Sequence, residues 1–155
     1  MRVVIQRVSR ARVSAGGEMI GEIGAGALIL AGVRTDDTED DARYLAGRIA
    51  ELRIFPDADR HFERSVKETG GALLVVSQFT LYADTRRGRR PSFTEAAPPA
   101  EAERLYETLM TELRAHGLEV RAGRFGAVMD VELVNAGPVT IILDSADRLR
   151  ARRGG

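Results

Sequence analysis

Short apolar runs separated by glycines fill the first 33 residues of the chain, a pattern typical of strands joined by tight turns. The strand-like pieces are RVVIQRV, ARVSA, EMIGEIG and ALILAGV. The apolar spacing then changes to that of a helix, and acidic residues stand at its start, where the helix dipole favours them. The predicted buried face of this helix consists of Ala42, Leu45, Ile49 and Leu52.

The middle of the chain holds one strongly apolar segment between two polar ones. A short predicted strand, LRIF, is followed by a polar segment over about 56–67 that is expected to be a loop. The segment ALLVVSQFTLY is continuously apolar at its start, which predicts a buried central strand. The next segment, ADTRRGRRPSFTEAAPP, has no periodicity and is predicted to be a long loop.

A second helix is predicted to begin near Pro99, because proline is tolerated in a first helical turn, and to end at His116 and Gly117. Its apolar face consists of Leu105, Tyr106, Leu109, Met110 and Leu113. The segment LEVRAGRFG is predicted to be a strand, and VELVNAGPVTIILD two strands around a turn over 135–138. The polar tail over 146–155 is expected to be frayed.

Together these elements predict a single α/β domain over 1–155, with a mixed, mainly antiparallel sheet and two main helices. A doubly wound fold is disfavoured, because the strands cluster at the two ends of the chain and only two helices are evident.

Composition restricts the function more than the fold. The 155 residues include no cysteine, so disulfides and thiolate chemistry are excluded and zinc sites are disfavoured. No stretch approaches the ~20 apolar residues of a membrane span and no secretory signal is evident, so a cytoplasmic protein without a membrane partner is expected. Basic and acidic side chains number 23 each, so a nucleic acid would have to bind to a local basic patch.

Familiar catalytic and cofactor motifs are absent, and neither a metal nor a cofactor is expected. The two histidines are His61, in the predicted polar loop, and His116, at a helix end, so a Ser-His-Asp triad is poorly supported. The acidic run DDTEDD is better explained by capping of the first helix than by catalysis.

The end of the central strand is the first candidate site, made of Ser77, Gln78, Phe79 and Thr80. Polar residues that alternate with apolar ones are also typical of a strand end that reaches the surface. In a functional interpretation, the strand end presents a hydroxyl, an amide and backbone N–H groups to a ligand. Backbone N–H groups can stabilise an oxyanion without any ionisable side chain.

The loop after this strand is the second candidate site, with Arg86, Arg87, Arg89 and Arg90 inside five residues and Phe93 nearby. A run of charges is usually solvated surface. Beside a binding site, however, arginines can contact an RNA backbone while an aromatic ring stacks on a base.

Two motifs at a characteristic separation resemble one family. They are SQFTL, inside VVSQFTLYADTRRGRRPSF, and NAGPVT, and with the opening MRVVIQRVSRA they make residues 1–145 similar to the D-aminoacyl-tRNA deacylases. The resemblance implies a barrel-like core and a homodimer whose active site is shared between subunits. It also implies hydrolysis of the ester of D-aminoacyl-tRNA, or of glycine mischarged on tRNA(Ala), with rejection of L-aminoacyl-tRNA.

The same resemblance assigns roles to individual residues. Gly137 and Pro138 would be joined by a cis peptide bond and would select chirality inside the partner subunit's active site. Because glycine has no Cβ, its carbonyl can approach a substrate closely, and an L side chain would clash with it. Arg7 would brace this segment, while Phe125 and Met129 would contact the terminal adenosine of the tRNA.

The same resemblance implies that the opposite wall of the pocket is formed by Ser77, Gln78, Phe79 and Thr80. No base adjoins Thr80 in sequence, so a water molecule is expected to be the nucleophile. Backbone N–H groups of Phe79 and Thr80 would stabilise the oxyanion, with help from the ribose 2′-OH.

This chain departs from the family pattern at three positions. Arg60 and Glu63 stand where glycine and asparagine are common, and Val128 stands where a more polar residue is usual. These departures affect the expected loop contacts and leave the expected reaction unchanged.

Two other functions stay open on composition alone. A small-molecule hydrolase or deaminase would show no preference for tRNA-linked esters. A non-catalytic tRNA-binding module would bind tRNA and leave the ester intact. The paired motifs favour the deacylase.

Overall fold

A six-stranded mixed sheet forms the centre of the computed structural model, which describes residues 1–150. The strands of this sheet are β1 (Arg2–Ala15), β2 (Glu18–Ile23), β3 (Gly26–Gly32), β6 (Ala72–Ser77), β7 (Glu119–Ala122) and β8 (Asp130–Asp144). Strands β4 (Arg53–Asp57) and β5 (Arg60–Ser65) form a separate antiparallel hairpin. The α-helices are α1 (Glu39–Glu51), α2 (Val66–Thr69) and α3 (Pro99–Ala115), and 3-10 helices span Phe79–Tyr82 and Ser145–Leu149.

Strand β1 organises the sheet. It pairs antiparallel with β2 and β3 along one edge and with β8 along the other, while β6 pairs parallel with both β3 and β7. Strand β2 also approaches β7, because a Cβ placed on Gly21 would lie 3.0 Å from the Ala122 carbonyl oxygen. The sheet is therefore nearly closed into a barrel, and the prediction of a mainly antiparallel, barrel-like α/β fold with two main helices is confirmed.

Apolar side chains are buried on both faces of the central strands. On β6, Leu73 and Val75 pack in the cluster shared with helices α1 and α3, whereas Leu74 and Val76 pack in a second cluster with residues of β1, β2 and β3. A strand with no polar face needs apolar residues at every position, which explains the uninterrupted run in its sequence.

The structure corrects four details of the predicted elements. Residues 56–67 are not one loop, because they contain β5 and most of a hairpin. Strand β6 ends at Ser77 and is followed by a 3-10 helix, and β7 ends at Ala122, so both are shorter than predicted. Residues 130–144 form one continuous strand with a bulge in place of the predicted turn.

The fourth correction concerns the polar tail, which is ordered at its start. Residues Ser145–Leu149 form a helical turn, and Arg148 Nε donates to Asp41 Oδ1 at 3.1 Å. The remainder of the predicted frayed tail, residues 151–155, lies outside the described residues.

Asp41 connects this turn to the start of α1. Its carboxylate accepts hydrogen bonds from the Thr38 backbone N–H at 2.8 Å and from Arg148. Burial alone would raise the pKa of the Asp41 carboxyl. The hydrogen bonds from Arg148 and Thr38 outweigh this effect and lower the pKa to about 2. The ionised form is therefore preferred in the folded protein.

The stability of the protein should depend on Asp41 at acidic pH. Because the pKa is lowered on folding, the carboxylate stabilises the fold above pH ~4, and this stabilisation is lost as the pH falls towards 2. The difference in unfolding free energy between the protein and Asp41→Asn should shrink by about 2 kcal/mol between pH 6 and pH 2. Urea unfolding across this range measures the difference, and a constant value would contradict the prediction.

Candidate active site

A cavity of about 480 Å³ opens where β6 ends, between β3, helix α3 and the segment 125–131. Its volume is within the range of small-molecule binding pockets. The structure places five of the residues singled out from the sequence in its lining: Ser77, Gln78, Phe79, Phe125 and Met129. The end of the central strand is therefore the wall of a real cavity and does not merely surface into solvent.

The backbone turns away from the sheet directly after Ser77. The Gln78 N–H makes the last bond towards β3, to the Ala31 carbonyl at 2.7 Å. The 3-10 helix Phe79–Tyr82 follows, and the first N–H groups of such a helix have no partner within it. Among the described residues, neither the Phe79 nor the Thr80 N–H donates to a protein acceptor. Two peptide dipoles are thus available at the pocket rim.

Thr80 itself lies beside the pocket and is not part of its lining. Its hydroxyl accepts a hydrogen bond from the side-chain amide of Gln78. The hydroxyl is therefore held by an amide, which cannot act as a base to activate it.

Helix α3 supplies the opposite wall through Tyr106. Its hydroxyl donates to the Val75 carbonyl at 2.8 Å, and its ring lies 5.9 Å from that of Phe125, measured between centroids. Burial raises the pKa of Tyr106 well above its ordinary value. Tyr106 is the one ionisable side chain among the lining residues, all of which belong to the described part of the chain, so the pocket contains no group suited to proton transfer near neutral pH.

Both histidines lie away from this cavity. His61 is exposed on β5, which corrects its predicted position in a loop, and His116 caps the end of α3 as expected. Neither belongs to the lining, so the structure offers Ser77 no histidine partner.

The segment after β7 forms the remaining wall. Met129 packs closely on Gly123, since a Cβ placed there would lie 2.8 Å from the Met129 sulfur. Phe125 and Met129 present apolar surface to the cavity, whereas Val128 lies at the mouth and is exposed. This wall can accept a flat apolar group.

Gly137 and Pro138 lie in a bulge of β8, where β8 has more residues than the facing part of β1. Between the Gln6–Thr140 and Val8–Asn135 pairs, β1 contributes Arg7 alone and β8 contributes residues 136–139. The Gly137–Pro138 peptide bond is cis, and both residues are exposed. The extra residues of β8 are therefore displayed on the surface.

Arg7 fixes the bulge from the opposing strand. Its Nε donates to the Ala136 carbonyl at 2.6 Å, and its Nη1 donates to the Ile54 carbonyl at 2.7 Å. Hydrogen bonds from a charged guanidinium are stronger than neutral ones. One side chain thus holds the residue before Gly137 and the base of the β4–β5 hairpin.

A polar cluster holds the bulge on its other side. The side-chain oxygen of Gln6 accepts hydrogen bonds from the Asn135 amide, at 2.8 Å, and from the Thr140 hydroxyl. The Asn135 side chain also lies so close to Gly137 that a Cβ there would overlap it and the Val139 backbone nitrogen. Glycine is therefore required at 137 by the bulge itself.

Arg7, Gly137 and Pro138 do not line the cavity of their own chain. Ser77, Gln78, Phe79, Phe125 and Met129 are brought together, while the bulge residues form a second, separate group.

The arginine loop is closed at its base by a bridge between Asp84 and Ser92, whose backbones exchange hydrogen bonds of 2.7 and 2.9 Å. Arg86 turns back to bind Asp84, and this hydrogen bond holds the pKa of the Asp84 carboxyl well below its usual range. Within residues 1–150, no hydrogen bond or ion pair of the protein engages the exposed side chains of the other three, Arg87, Arg89 and Arg90.

Sequence reasoning missed several residues of the site. Tyr106 was predicted as part of the apolar face of α3. The 3.6-residue spacing of that face gives no sign that the Tyr106 ring also faces a cavity. Gln6, Asn135 and Thr140 carry no local signal, because they meet only through the pairing of β1 with β8. That these three residues flank the bulge is evident only once the register of β1 with β8 is known.

Within residues 1–150 no group of three or more metal-binding side chains is found, and no helix there is long and apolar enough to cross a membrane. The fold and the cavity define a small α/β barrel protein with a ligand-sized cavity where a parallel strand ends.

The family described as D-Tyr-tRNA(Tyr) deacylase matches residues 4–144. D-aminoacyl-tRNA deacylases from Roseiflexus castenholzii and Dehalococcoides mccartyi are 60% and 57% identical, over 94% and 98% of this chain and 93% and 99% of theirs. The chain belongs to the D-aminoacyl-tRNA deacylase family, whose members are hydrolases that act on the aminoacyl-tRNA ester.

Two solved structures are similar over nearly the whole fold. A c-Myc DNA unwinding element binding protein is 39% identical, with a TM-score of 0.87, over 93% of this chain and 98% of its own. A probable eukaryotic D-amino acid tRNA deacylase is 18% identical, with a TM-score of 0.81 over 92% and 98%, and this likeness shows the fold alone.

Tyr106→Phe should show whether the Tyr106 hydroxyl only stabilises the fold or also transfers a proton during hydrolysis. The substitution removes the hydrogen bond from Tyr106 to the Val75 carbonyl, which keeps its bond from the Gly123 N–H at 3.1 Å, and should lower the unfolding free energy by about 1 kcal/mol. Because Tyr106 stays protonated near neutral pH, the pH profile of hydrolysis should be unchanged. Tyr44→Phe, whose hydroxyl makes no hydrogen bond within residues 1–150, is the stability control. A shifted pH profile would identify Tyr106 as an acid or base.

Proposed function

We propose that this protein removes D-amino acids from tRNA by hydrolysing the ester at the tRNA 3′ end, and that it also removes glycine from mischarged tRNA(Ala). The observation that carries the proposal is the cavity at the end of β6, with free peptide N–H groups at its rim and no proton-transfer group inside. An aminoacyl ester is an activated substrate, so positioning and electrostatic stabilisation can supply the catalysis. Membership of the deacylase family supports the same reaction.

The terminal adenosine occupies the wall formed by Phe125 and Met129. The apolar ring and thioether at this wall suit the flat face of a base. The ester carbonyl then points to the rim at the end of β6, where the N–H groups of Phe79 and Thr80 are free to donate to it.

A water molecule attacks the ester carbonyl carbon. Negative charge develops on the carbonyl oxygen, and the Phe79 and Thr80 N–H groups stabilise it. The carbon–oxygen bond to the ribose breaks, the proton from the water passes to the ribose oxygen with help from the neighbouring 2′-OH, and the free amino acid and tRNA leave. Ser77 and Gln78 position the substrate.

Chirality is selected by Gly137 and Pro138 of a second subunit, which enter the cavity in a homodimer. The bulge is exposed, is held by Arg7, and is absent from the lining of its own chain. Strand β8 pairs only with β1 among the described residues and carries exposed apolar side chains, with Ile142 66% exposed, which supports burial against another copy. Main-chain atoms at the substrate α-carbon exclude an L side chain by steric overlap and leave room for hydrogen.

The arginine loop contacts the tRNA backbone through the exposed side chains of Arg87, Arg89 and Arg90. Arg86 is held by Asp84 and orders the loop. This local patch supplies the attraction for RNA that the zero net charge of the chain does not. The reaction takes place in the cytoplasm, where aminoacyl-tRNA is made.

A second candidate is nucleic-acid binding without hydrolysis. It is favoured by the likeness to the c-Myc DNA unwinding element binding protein, whose name describes DNA binding. Such a protein would retain tRNA and leave the ester intact.

Hydrolysis of D-tyrosyl-tRNA and L-tyrosyl-tRNA by the purified protein tests the proposal directly. The D ester should be cleaved much faster than its spontaneous rate, and the L ester should be left at that rate. D-tyrosine ethyl ester is the control for a small-molecule hydrolase and should be a poor substrate. Equal rates for the two tRNAs, or binding without cleavage, would overturn the proposal.

Gly137→Ala should abolish or strongly reduce D-tyrosyl-tRNA hydrolysis, by at least about tenfold, or 1.4 kcal/mol. The added Cβ would overlap Asn135 and Val139, so the bulge must shift. Gly24→Ala is the matched control, because a Cβ there meets nothing within 4 Å. An unchanged rate in Gly137→Ala would show that the bulge does not take part.

The shared site can be tested by mixing this variant with Ser77→Phe, which fills the cavity. If each site combines the cavity of one subunit with the bulge of the other, mixed dimers regain one intact site and activity returns. If the subunits are shown to exchange and the mixture stays inactive, the cavity and the bulge must act within one chain, and the shared site would be contradicted.

A further inference from the structure

Two aromatic rings meet at the mouth of the cavity. Phe79, which lines the cavity, is 57% exposed, and its ring lies 5.0 Å from that of Phe93, at an interplanar angle of 69°. In such an edge-to-face pair, the ring that points its edge keeps both of its own faces free of the other ring. The Phe79–Phe93 pair therefore presents open aromatic surface beside the cavity entrance.

The backbone holds Phe93 firmly although it belongs to a long loop. On one side Ser92 is bridged to Asp84, and on the other the Phe93 carbonyl accepts from the Ala96 N–H at 3.1 Å. Ala96 is itself bridged to Arg34. Because the backbone on both sides of Phe93 is already ordered, less conformational entropy is lost when a ligand stacks on its ring.

Exposed cationic side chains lie in the loop that leads to Phe93. The loop closed by the Asp84–Ser92 bridge carries Arg87, Arg89 and Arg90, and Arg90 stands three positions before Phe93 along the chain. Open aromatic surface together with exposed cations is the combination by which proteins bind single-stranded nucleic acids.

The cavity itself is too small for more than the end of a tRNA. At about 480 Å³ it has room for one nucleoside with its attached amino acid. The nucleotide on the 5′ side of the terminal adenosine must then lie outside the cavity, and the aromatic pair stands at the cavity mouth.

We propose that the Phe79–Phe93 pair is a stacking platform for the nucleotide that precedes the terminal adenosine, with the arginine loop beside its phosphate. This inference rests on the proposed function, because it uses the terminal adenosine in the cavity. Stacking on a ring tolerates any base, so the platform distinguishes a polynucleotide end from a free nucleoside ester.

The test compares two substrates that differ by one nucleotide, D-tyrosyl-adenosine and D-tyrosyl-cytidylyl-adenosine. For the protein, the longer substrate should have about a tenfold higher kcat/KM. Phe93→Leu keeps an apolar side chain without a ring, and it should remove this gain while leaving D-tyrosyl-adenosine unaffected; Phe93→Trp should retain the gain. Phe62→Leu is the matched control, since Phe62 is 58% exposed on β5 and lies outside the cavity lining.

Binding of unacylated cytidylyl-adenosine and of adenosine, measured by calorimetry, gives a second measurement that needs no hydrolysis. The dinucleotide should bind about tenfold tighter, and Phe93→Leu should abolish the difference. If the protein hydrolyses neither ester but keeps this difference in binding, the proposed reaction fails and the platform stands.

Two results would overturn the platform. One is an equal loss for both substrates in Phe93→Leu, together with weaker dimerisation, which would make the ring pair a subunit contact. The other is no change in Phe93→Leu for either substrate or for dinucleotide binding.

Discussion

The pairing of β1 with its neighbours is the constraint on which the rest of the structure depends. One strand of 14 residues bonds to β2 and β3 along one edge and to β8 along the other, so it fixes both the barrel and the C-terminal strand. Because β1 offers one residue where β8 has four, β8 must bulge at 136–139. The displayed glycine and proline are thus a consequence of register, held in place by Arg7.

Much of the fold was predictable, because its helices and central strand have strong patterns. Both long helices have a regular apolar face, and β6 is buried on two sides, so period and composition identified them. The β4–β5 hairpin was missed because β5 has mostly exposed, polar residues and so lacks the alternation of a half-buried strand. The bulge in β8 was predicted as a turn because its Gly-Pro pair has turn composition, although both flanking runs pair with the same strand.

The candidate site was predictable only where its residues lie in distinctive motifs. Ser77, Gln78 and Phe79 form a contiguous strand end, and Phe125 and Met129 were assigned by family resemblance; the structure places all five around one cavity. Tyr106 could not be assigned there, since a helical residue that faces both core and cavity has the same apolar spacing as any core residue. The separation of the bulge from its own chain's cavity is a property of the folded chain, with no counterpart in local sequence.

Arg7 has a mechanical consequence. Its guanidinium joins the Ala136 carbonyl, beside the bulge, to the Ile54 carbonyl, near the start of the β4–β5 hairpin. The bulge and the base of the hairpin are therefore linked through one side chain, whereas the hairpin tip around residues 58–60 lies beyond this link. A displacement of β4 at Ile54 would therefore be transmitted through one guanidinium to the backbone beside Gly137, whereas Arg60 at the tip, among the described residues, bonds only to Glu63 of its own hairpin.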